Sequence, residues 1–506
     1  MVSAKWGRRE MIALENVGVI SNFGRACIGG MAQFGGTTSA ERGQWLGTDL
    51  TEFTAGSRAA QKDRLTAASA MRNSQGDNMK SRLLFTTLLL ASLALLAMPV
   101  EVKAQQDHHP SHYTVTDLGT LGGSYSYGYG INNAGVASGG AATENQIGGV
   151  NQTAFLWHRG HMKNLGTLQG SGCPDCNSEA GGPNARGESP IISETSNAAF
   201  MNEDFCGFGT HRQCLGAIWK NGAMTALRTL RGGHNGQAYW ANNQGQVVGF
   251  TENGTLDSTC SPATPFQVVR FEAVKWGPNG EIQELRPFPG DTVGFAFGIN
   301  DQGQTVGTSG LCSNTSLPPV NPAGVHAVLW EQDGTPKDLG SLAGMPPNVA
   351  TSINNRGDVV GTSPFTDGTI HSFLWTRTTG MQDLGTLPGA VATVASCCHT
   401  INNRDEVVGF SIDTTGTMTA FLWQDNVITD LNTLIPAKSG WYLQAASSIN
   451  DAGEIAGWGS IDGNVHAFVA RPCDPNHASN DRCREDTEGA AQQRSHDHRK
   501  AEGSYN

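Results

Sequence analysis

Residues 351–389 read TSINNRGDVVGTSPFTDGTIHSFLWTRTTGMQDLGTLPG, and three short strings inside them decide the fold. Asn354-Asn355-Arg356-Gly357 has the composition of a reverse turn: Asn opens it and Gly supplies the positive φ that a tight reversal requires. Val359-Val360-Gly361 leaves the turn as an extended, β-branched segment. Ser372 to Trp375 (SFLW) is a short apolar run, and after a polar turn Asp383 to Leu387 (DLGTL) supplies another strand. With the extended segment that enters the turn, this makes four short strands and no helical periodicity between them.

The unit recurs. The turn Asn stands at Asn132, Asn184, Asn242, Asn300, Asn354, Asn402 and Asn450, at spacings of 52, 58, 58, 54, 48 and 48. Six turns carry Gly three residues later (Gly135, Gly187, Gly245, Gly303, Gly357, Gly453), and the other carries Asp405, which also tolerates positive φ. Apolar runs ending in Trp recur at Ala154–Trp157, Ala217–Trp219, Ala273–Trp276, Ala327–Trp330 and Ala420–Trp423. Strings of DLGTL type recur at Asn164–Leu168, Ala226–Leu230, Glu284–Phe288, Asp338–Leu342 and Asp430–Leu434. Seven units of four strands are an all-β array.

The two ends distinguish an open solenoid from a ring. YTVTDLGTL, Tyr113 to Leu121, is a last-strand element with no partner before it, whereas the seventh unit stops at Ala467–Ala470 (AFVA) without a last strand. Each supplies what the other lacks. The expected fold over 113–471 is therefore a seven-bladed β-propeller with four-stranded blades, closed by the N-terminal strand completing the last blade. The residue four before each Asn is small (Gly128, Ala180, Ala238, Ala296, Ala350, Cys398, Ala446), as an inner strand crowded at the axis requires. The second unit departs, because Pro183 and Pro190 flank its turn and are expected to distort the hairpin.

DLGTLGG (Asp117–Gly123) followed by INNAG (Ile131–Gly135), and HSFLW followed by DLGTLPG, resemble the HAF-repeat proteins, an extracellular repeat family of bacteria. The His-Ala-Phe of that family's name stands at His466 to Phe468. The resemblance covers about 113–471. It implies an exported repeat protein and hands over no catalytic residue.

Export is also written in the leader. From Met79, Lys80 and Arg82 precede an apolar run from Leu83 to Val100 and a Val-x-Ala ending at Ala104, which is the order of a secretory signal peptide over 79–104. Residues 1–78 then read as an upstream extension with a misassigned start or as disordered, and 472–506 as a disordered polar tail. The mature chain is expected to be secreted or periplasmic, without membrane insertion after cleavage. From residue 105 onward it carries 21 Lys and Arg against 37 Asp and Glu. That surface excludes nucleic acid as a partner and disfavours an anionic membrane.

Ten of the 11 Cys follow the leader, an even number that suits a disulfide framework. Cys473 and Cys483 could close a C-terminal loop, Cys260 and Cys312 hold similar places in successive units, and Cys173, Cys176, Cys206 and Cys214 share an inserted stretch. Connectivity stays open. Cys173-Pro174-Asp175-Cys176 also has the spacing of a redox motif, and with Cys206 and Cys214 it offers four thiolates for zinc, but an oxidising compartment favours structural bridges.

His326, His371 and His466 share one position in the unit, which argues for a structural role over metal ligation, since ring-related positions lie far apart. His108, His109 and His112, with His496 and His498, read as solvated tails. Asp117, Asp338, Asp383 and Asp430 recur at one outer-strand position and read as architecture. No metal or cofactor site is expected, and no nucleophile-elbow, zincin, P-loop or dinucleotide fingerprint occurs. Tyr125, Tyr127, Tyr239, Trp240, Phe295, Trp441 and Tyr442 precede their turn Asn and are expected in part to reach the mouth of a central channel, where aromatic faces beside acids hold sugars. The reading is a non-catalytic binding scaffold for carbohydrate or a protein partner at the cell envelope. The competing reading is an envelope glycan hydrolase or lyase, which would bring two carboxylates, or an acid and a His, together at the channel mouth.

Overall fold

The computed structural model describes residues 112–144, 151–257, 260, 269–312, 326–396 and 399–473. All of these belong to one compact unit. The leader at 79–104, residues 1–78, the tail beyond 473, and Cys397, Cys398 and Cys483 lie outside the described residues.

The third unit shows the construction. Strands Gly236–Ala241, Val247–Leu256, Val269–Trp276 and Ile282–Leu285 pair antiparallel in chain order. Between the first two, Asn242 Oδ1 accepts the N–H groups of Gln244 (3.1 Å) and Gln246 (2.9 Å), and Gly245 takes φ +80°. All seven turns follow this pattern, and Asp405 sits at φ +63° where the others have Gly.

Seven four-stranded units are paired in this way among the described residues. Three stand alone, and four are joined two by two through single parallel bridges, Tyr125 opposite Val465 and Ile370 opposite Ala392. The strand Tyr113–Asp117 pairs antiparallel with Asn464–Pro472, with Tyr113 opposite Pro472 and Asp117 opposite Phe468. The second unit keeps a regular turn at Asn184 despite Pro183 and Pro190, and what departs is the length of its first strand. Its first strand is only Ser178–Ala180, and Pro190 presents a carbonyl but no N–H to that strand's continuation at Gly181.

Each turn Asn reaches its neighbour. The Nδ2 of Asn132 donates to the backbone carbonyl of Asn184, Asn184 to Asn242, Asn242 to Asn300, Asn300 to Asn354, Asn354 to Asn402 and Asn402 to Asn450, all at 2.9–3.2 Å. Asn450 donates to Asn132 at 3.0 Å, and the circuit returns to its start. The first strands of the units therefore surround one axis, and the molecule is a β-propeller.

Apolar layers between units explain the other two repeated strings. Leu339 and Leu342 pack with Phe373 and Trp375 of the following unit, and Leu384 and Leu387 with Phe421 and Trp423 of the next. Leu118 and Leu121, which follow the N-terminal strand, pack in the same manner with Phe155 and Trp157. The outer string of one unit and the Trp run of its successor are thus two halves of one layer. The Val-Val-Gly string has a separate cause. First strands shift register just after their small residue, as between Ala296 and Gly298, and there a Cβ on Gly307 would overlap the carbonyl oxygen of Phe295. Gly249 and Gly361 meet Gln237 and Val349 in the same way.

Three bridges join cysteines that both lie among the described residues, Cys173–Cys176, Cys206–Cys214 and Cys260–Cys312, and Cys473 is disulfide-bonded as well. Cys260–Cys312 ties the third unit to the fourth. Among the described residues helix is limited to three short 3-10 turns, and none is long and apolar enough to cross a membrane.

Asn300 uses both amide hydrogens, on Asn354 O and Gln304 Oε1, and accepts the N–H groups of Gln302 and Gln304. Asn300→Ala is expected to cost roughly 3 kcal/mol, because it strands several buried backbone groups at once. A urea titration checks this through a lowered midpoint at unchanged slope.

Candidate functional site

At the end of the axis where the turns lie, the residue after each Asn forms a second ring. Backbone N–H groups of Ala185, Asn243, Asp301, Asn355, Asn403 and Asp451 each donate to the side chain at the same position of the next unit, at 2.8–3.0 Å. Asp301 Oδ2 also accepts from Asn243 and Asn355, and Asp451 Oδ2 from Asn133 and Asn403. Burial works to raise Asp451, but the Asn403 and Asn133 hydrogen bonds outweigh it and hold the carboxyl below its ordinary value. Inside this rim is a vestibule of about 70 Å³. Its floor is the indole of Trp240, stacked on the His399 imidazole with ring centres 5.0 Å apart.

That floor closes the axis. Trp240 fits because its ring-related positions are small: a Cβ at Gly182 would overlap its indole, and Gly130, Gly298, Ser352, Thr400 and Ser448 stand at the others. His399, from the sixth unit, turns toward it at φ +69° and joins Nδ1 to the carbonyl of Ile449 (3.1 Å). Burial pushes this imidazole's pKa down. A vestibule of this size holds water or a small ion, not a sugar ring.

The aromatics expected at the channel mouth are mostly core. Tyr127, Tyr239 and Phe295 lie buried in one cluster with Tyr129, Phe250, Phe297 and Trp458. Phe295 is within 4.6 Å of both Phe250 and Phe271, centre to centre, so its faces are covered. Tyr125 packs at the margin of that cluster, and burial raises its hydroxyl to about 12. Trp441 lies edge-on to Phe468 at the base of the seventh unit. Tyr442 is the exposed member, its hydroxyl 2.8 Å from Thr419 Oγ1. Only Trp240 reaches the vestibule. The physical reason is alternation along the first strands, which aims these rings into the axis instead of around its rim.

In two units the repeated His and Asp meet: His371 Nδ1 lies 2.9 Å from Asp383 and His466 Nδ1 2.9 Å from Asp117, whereas His326 Nδ1 lies 2.8 Å from Asp291, which precedes the first strand of its unit and is not the outer-strand aspartate. In the fifth unit Thr369 Oγ1 also lies 2.8 Å from His371 Nε2, but it lies 2.5 Å from Asp367 as well. The pairing recurs in units that lack this hydroxyl, so it acts as a strap between strands.

On the opposite face, units two and three bury acids that sequence reasoning missed. Asn177 donates through N–H and Nδ2 to Glu194, which also receives the Thr210 hydroxyl. Asn235 binds Glu252 in the same way and reaches Glu203 with Nδ2 at 3.1 Å. The signal was an Asn seven before and a Glu ten after the turn Asn in both units. Burial raises Glu194, Asp204 and Glu179, the last well above its ordinary range. Glu272, at the His position of the third unit, is pushed up to about 8 by burial and by Glu284. Its Oε1 accepts from Asn253 at 3.1 Å, and its Oε2 is buried without a hydrogen-bond partner.

Ligand-sized concavities lie between units instead of on the axis. One, of about 700 Å³, separates units two and three and is lined by Arg186, Glu188, Lys220, Asn221, Arg228 and Glu281, among others. The other, of about 670 Å³, lies between units seven and one beside Trp157, Arg159, Glu454 and Arg471. Both open on the face of the Asn turns. Ile218 lines the first cleft, whereas in the third unit the equivalent Lys275 crosses to the fourth and donates to Gln332 O (3.0 Å).

No protein-family model matches the chain, and no curated protein sequence does. Among solved structures the chain is similar to a puromycin hydrolase (TM-score 0.44, 12% identity, 71% of this chain and 55% of that one). It is also similar to the β-propeller domain of the Trilobed protease from Pyrococcus furiosus (0.40, 10%, 69% and 99%) and to TolB from Acinetobacter baumannii (0.31, 10%, 70% and 64%). The chain thus spans about 55% of the length of the hydrolase. At these identities none of the three transfers its activity.

Glu272 makes stability depend on pH in a defined window. The unfolded chain releases this proton near 4.5 and the folded one near 8, so the contribution is complete below 4.5 and is lost as pH rises toward 8. Glu272→Gln is expected to reduce the fall of unfolding free energy across that window by up to about 1.4 kcal/mol per pH unit, read from urea midpoints at pH 5, 6, 7 and 8.

Proposed function

We propose that the seven four-stranded units are the blades of a ring closed by Tyr113–Asp117, and that the protein is an exported, non-catalytic binding scaffold. Closure is supported by the pairing of that strand with Asn464–Pro472 and by the return of the Asn circuit from Asn450 to Asn132. Export is supported by the Cys206–Cys214 and Cys260–Cys312 bridges, of a kind that persists in oxidising compartments. Val115 faces Ala470 in the closing pair. Val115→Cys with Ala470→Cys is expected to link residues 115 and 470, visible as one peptide by mass spectrometry, and an unlinked pair contradicts the ring.

The observation that carries the binding reading is the polar cleft between units two and three. Arg186 and Lys220 converge on Glu188 there, at 2.8 and 2.6 Å, with Arg228 alongside. Dense donors and acceptors in an open trough suit a hydroxyl-rich chain such as a polysaccharide. A protein partner is the other candidate, supported by exposed Phe200, Met201, Leu256 and Leu311 on loops of units two to four. The competing hydrolase or lyase would draw on Glu272, which keeps its proton near neutrality close to Glu284, as a general acid needs.

A polysaccharide panel with product analysis tests the reading. The full chain is expected to be retained without releasing products, and Lys220→Ala with Arg228→Ala to weaken retention about tenfold, the worth of one charge-assisted bond. Product release abolished by Glu272→Gln would replace the scaffold with an enzyme. Capture of a protein that is lost on Met201→Asp would move the site to the opposite face.

A further inference from the structure

We propose that Cys173–Cys176 is a thiol-exchanging bridge that oxidises a substrate dithiol, with the Arg212 guanidinium holding Cys173 as the leaving thiolate. Of the three described bridges it spans a sequence separation of 3, against 8 and 52. A cross-link restricts the unfolded chain less as its loop shortens. The turn is moreover closed by its own backbone, since Cys176 N–H donates to Cys173 O (3.2 Å) and Cys173 N–H to Gly170 O (3.1 Å). As a staple the bridge adds little.

The charges beside it have a direction. Arg212 Nη1 lies 3.6 Å from Cys173 Sγ, and Nη2 is held by Asp175 Oδ2 at 2.6 Å. A cation at this distance stabilises a thiolate far more than a disulfide or a thiol, which makes the sulfur a better leaving group. Asp175 Oδ1, 3.7 Å from the same sulfur, opposes this. Arg212 is itself anchored, because it begins the strand Arg212–Lys220 two residues before the bridged Cys214. Both cysteines are buried, Cys173 at 3% and Cys176 at 1% exposure, under a thin cover of exposed residues, Gly172, Pro174 and Asp175, which a substrate thiolate must displace to reach Cys173.

The chemistry balances as a two-electron exchange. A substrate thiolate attacks Cys173 Sγ, the Cys173–Cys176 bond breaks, and the Cys176 sulfur leaves and takes a proton from water. The second substrate thiol, deprotonated, then attacks the substrate sulfur of the mixed disulfide and expels Cys173 as the thiolate beside Arg212. The substrate dithiol ends as a disulfide and the cysteine pair ends reduced.

The full chain equilibrated in glutathione redox buffers under native conditions, trapped with iodoacetamide and read peptide by peptide, tests this. Cys173–Cys176 is expected to be half reduced at a [GSH]²/[GSSG] ratio at least about tenfold lower than Cys206–Cys214 or Cys260–Cys312. Arg212→Gln should raise that ratio severalfold and Asp175→Asn should lower it. A pair that stays oxidised until the other bridges open, or a ratio indifferent to Arg212→Gln, overturns the proposal. Should Arg212→Gln fail to fold, Cys176→Ser leaves Cys173 as a single thiol. Its alkylation rate against pH should then give a pKa below about 7, and the ordinary value near 8.5 overturns the proposal equally.

Discussion

Everything in this fold depends on an asparagine amide that satisfies two neighbours at once. Its oxygen accepts two N–H groups of its own turn, which fixes the reversal between the first and second strands. Its nitrogen crosses to the carbonyl of the next unit, which fixes the spacing between units. An aspartate at this position would keep the first role and present a charge to a carbonyl in the second. A glutamine would displace both by one bond. Because every such amide is buried and each link leans on the next, the ring of turns is a cooperative polar network in which a single broken member leaves orphaned backbone groups.

Crowding at the axis follows from that spacing. Gly128, four before its Asn, and the glycines of the Val-Val-Gly strings stand where two backbones approach too closely for a Cβ. The space that remains at the turn end of the axis admits one large ring, and Trp240 takes it because glycine, serine or threonine occupies the other six positions. Near-identical units thereby produce an asymmetric centre. The junctions differ too: Lys275 crosses from the third unit to Gln332 O of the fourth, whereas the equivalent Ile218 lines the cleft between units two and three.

Much of the architecture was legible in the residues. The Asn-x-x-Gly turns, the outer strings and the Trp runs are local patterns whose period is independent of tertiary detail, so the all-β class and the order of strands within a unit could be read from them. That the second unit departs was legible for the same reason, since proline removes a specific donor, but not that its turn stays regular. The direction of side chains was not. Tyr127, Tyr239 and Phe295 were expected at a rim and lie in the core, because alternation along the first strand decides which way each ring points, and the turn spacing does not disclose its phase. Nor could repetition in only two units disclose the Asn177–Glu194 and Asn235–Glu252 pairs, or spacing alone the pairing of Cys206 with Cys214 and Cys260 with Cys312.

The strand Tyr113–Asp117 has one more consequence, which concerns time. It is made before any of the units, yet its partner, Asn464–Pro472, is the last described strand of the chain. Stacked repeats that contact only their neighbours can fold in sequence as they emerge, each stabilised by the one before. Here the first strand waits, with its edge unpaired and Leu118 and Leu121 only half provided for, until some 350 residues of loop can be closed by a single pairing, which is a high contact-order event. Until that pairing is made, the edge of Tyr113–Asp117 that Asn464–Pro472 covers stays open, a strand edge of the kind that invites mispairing.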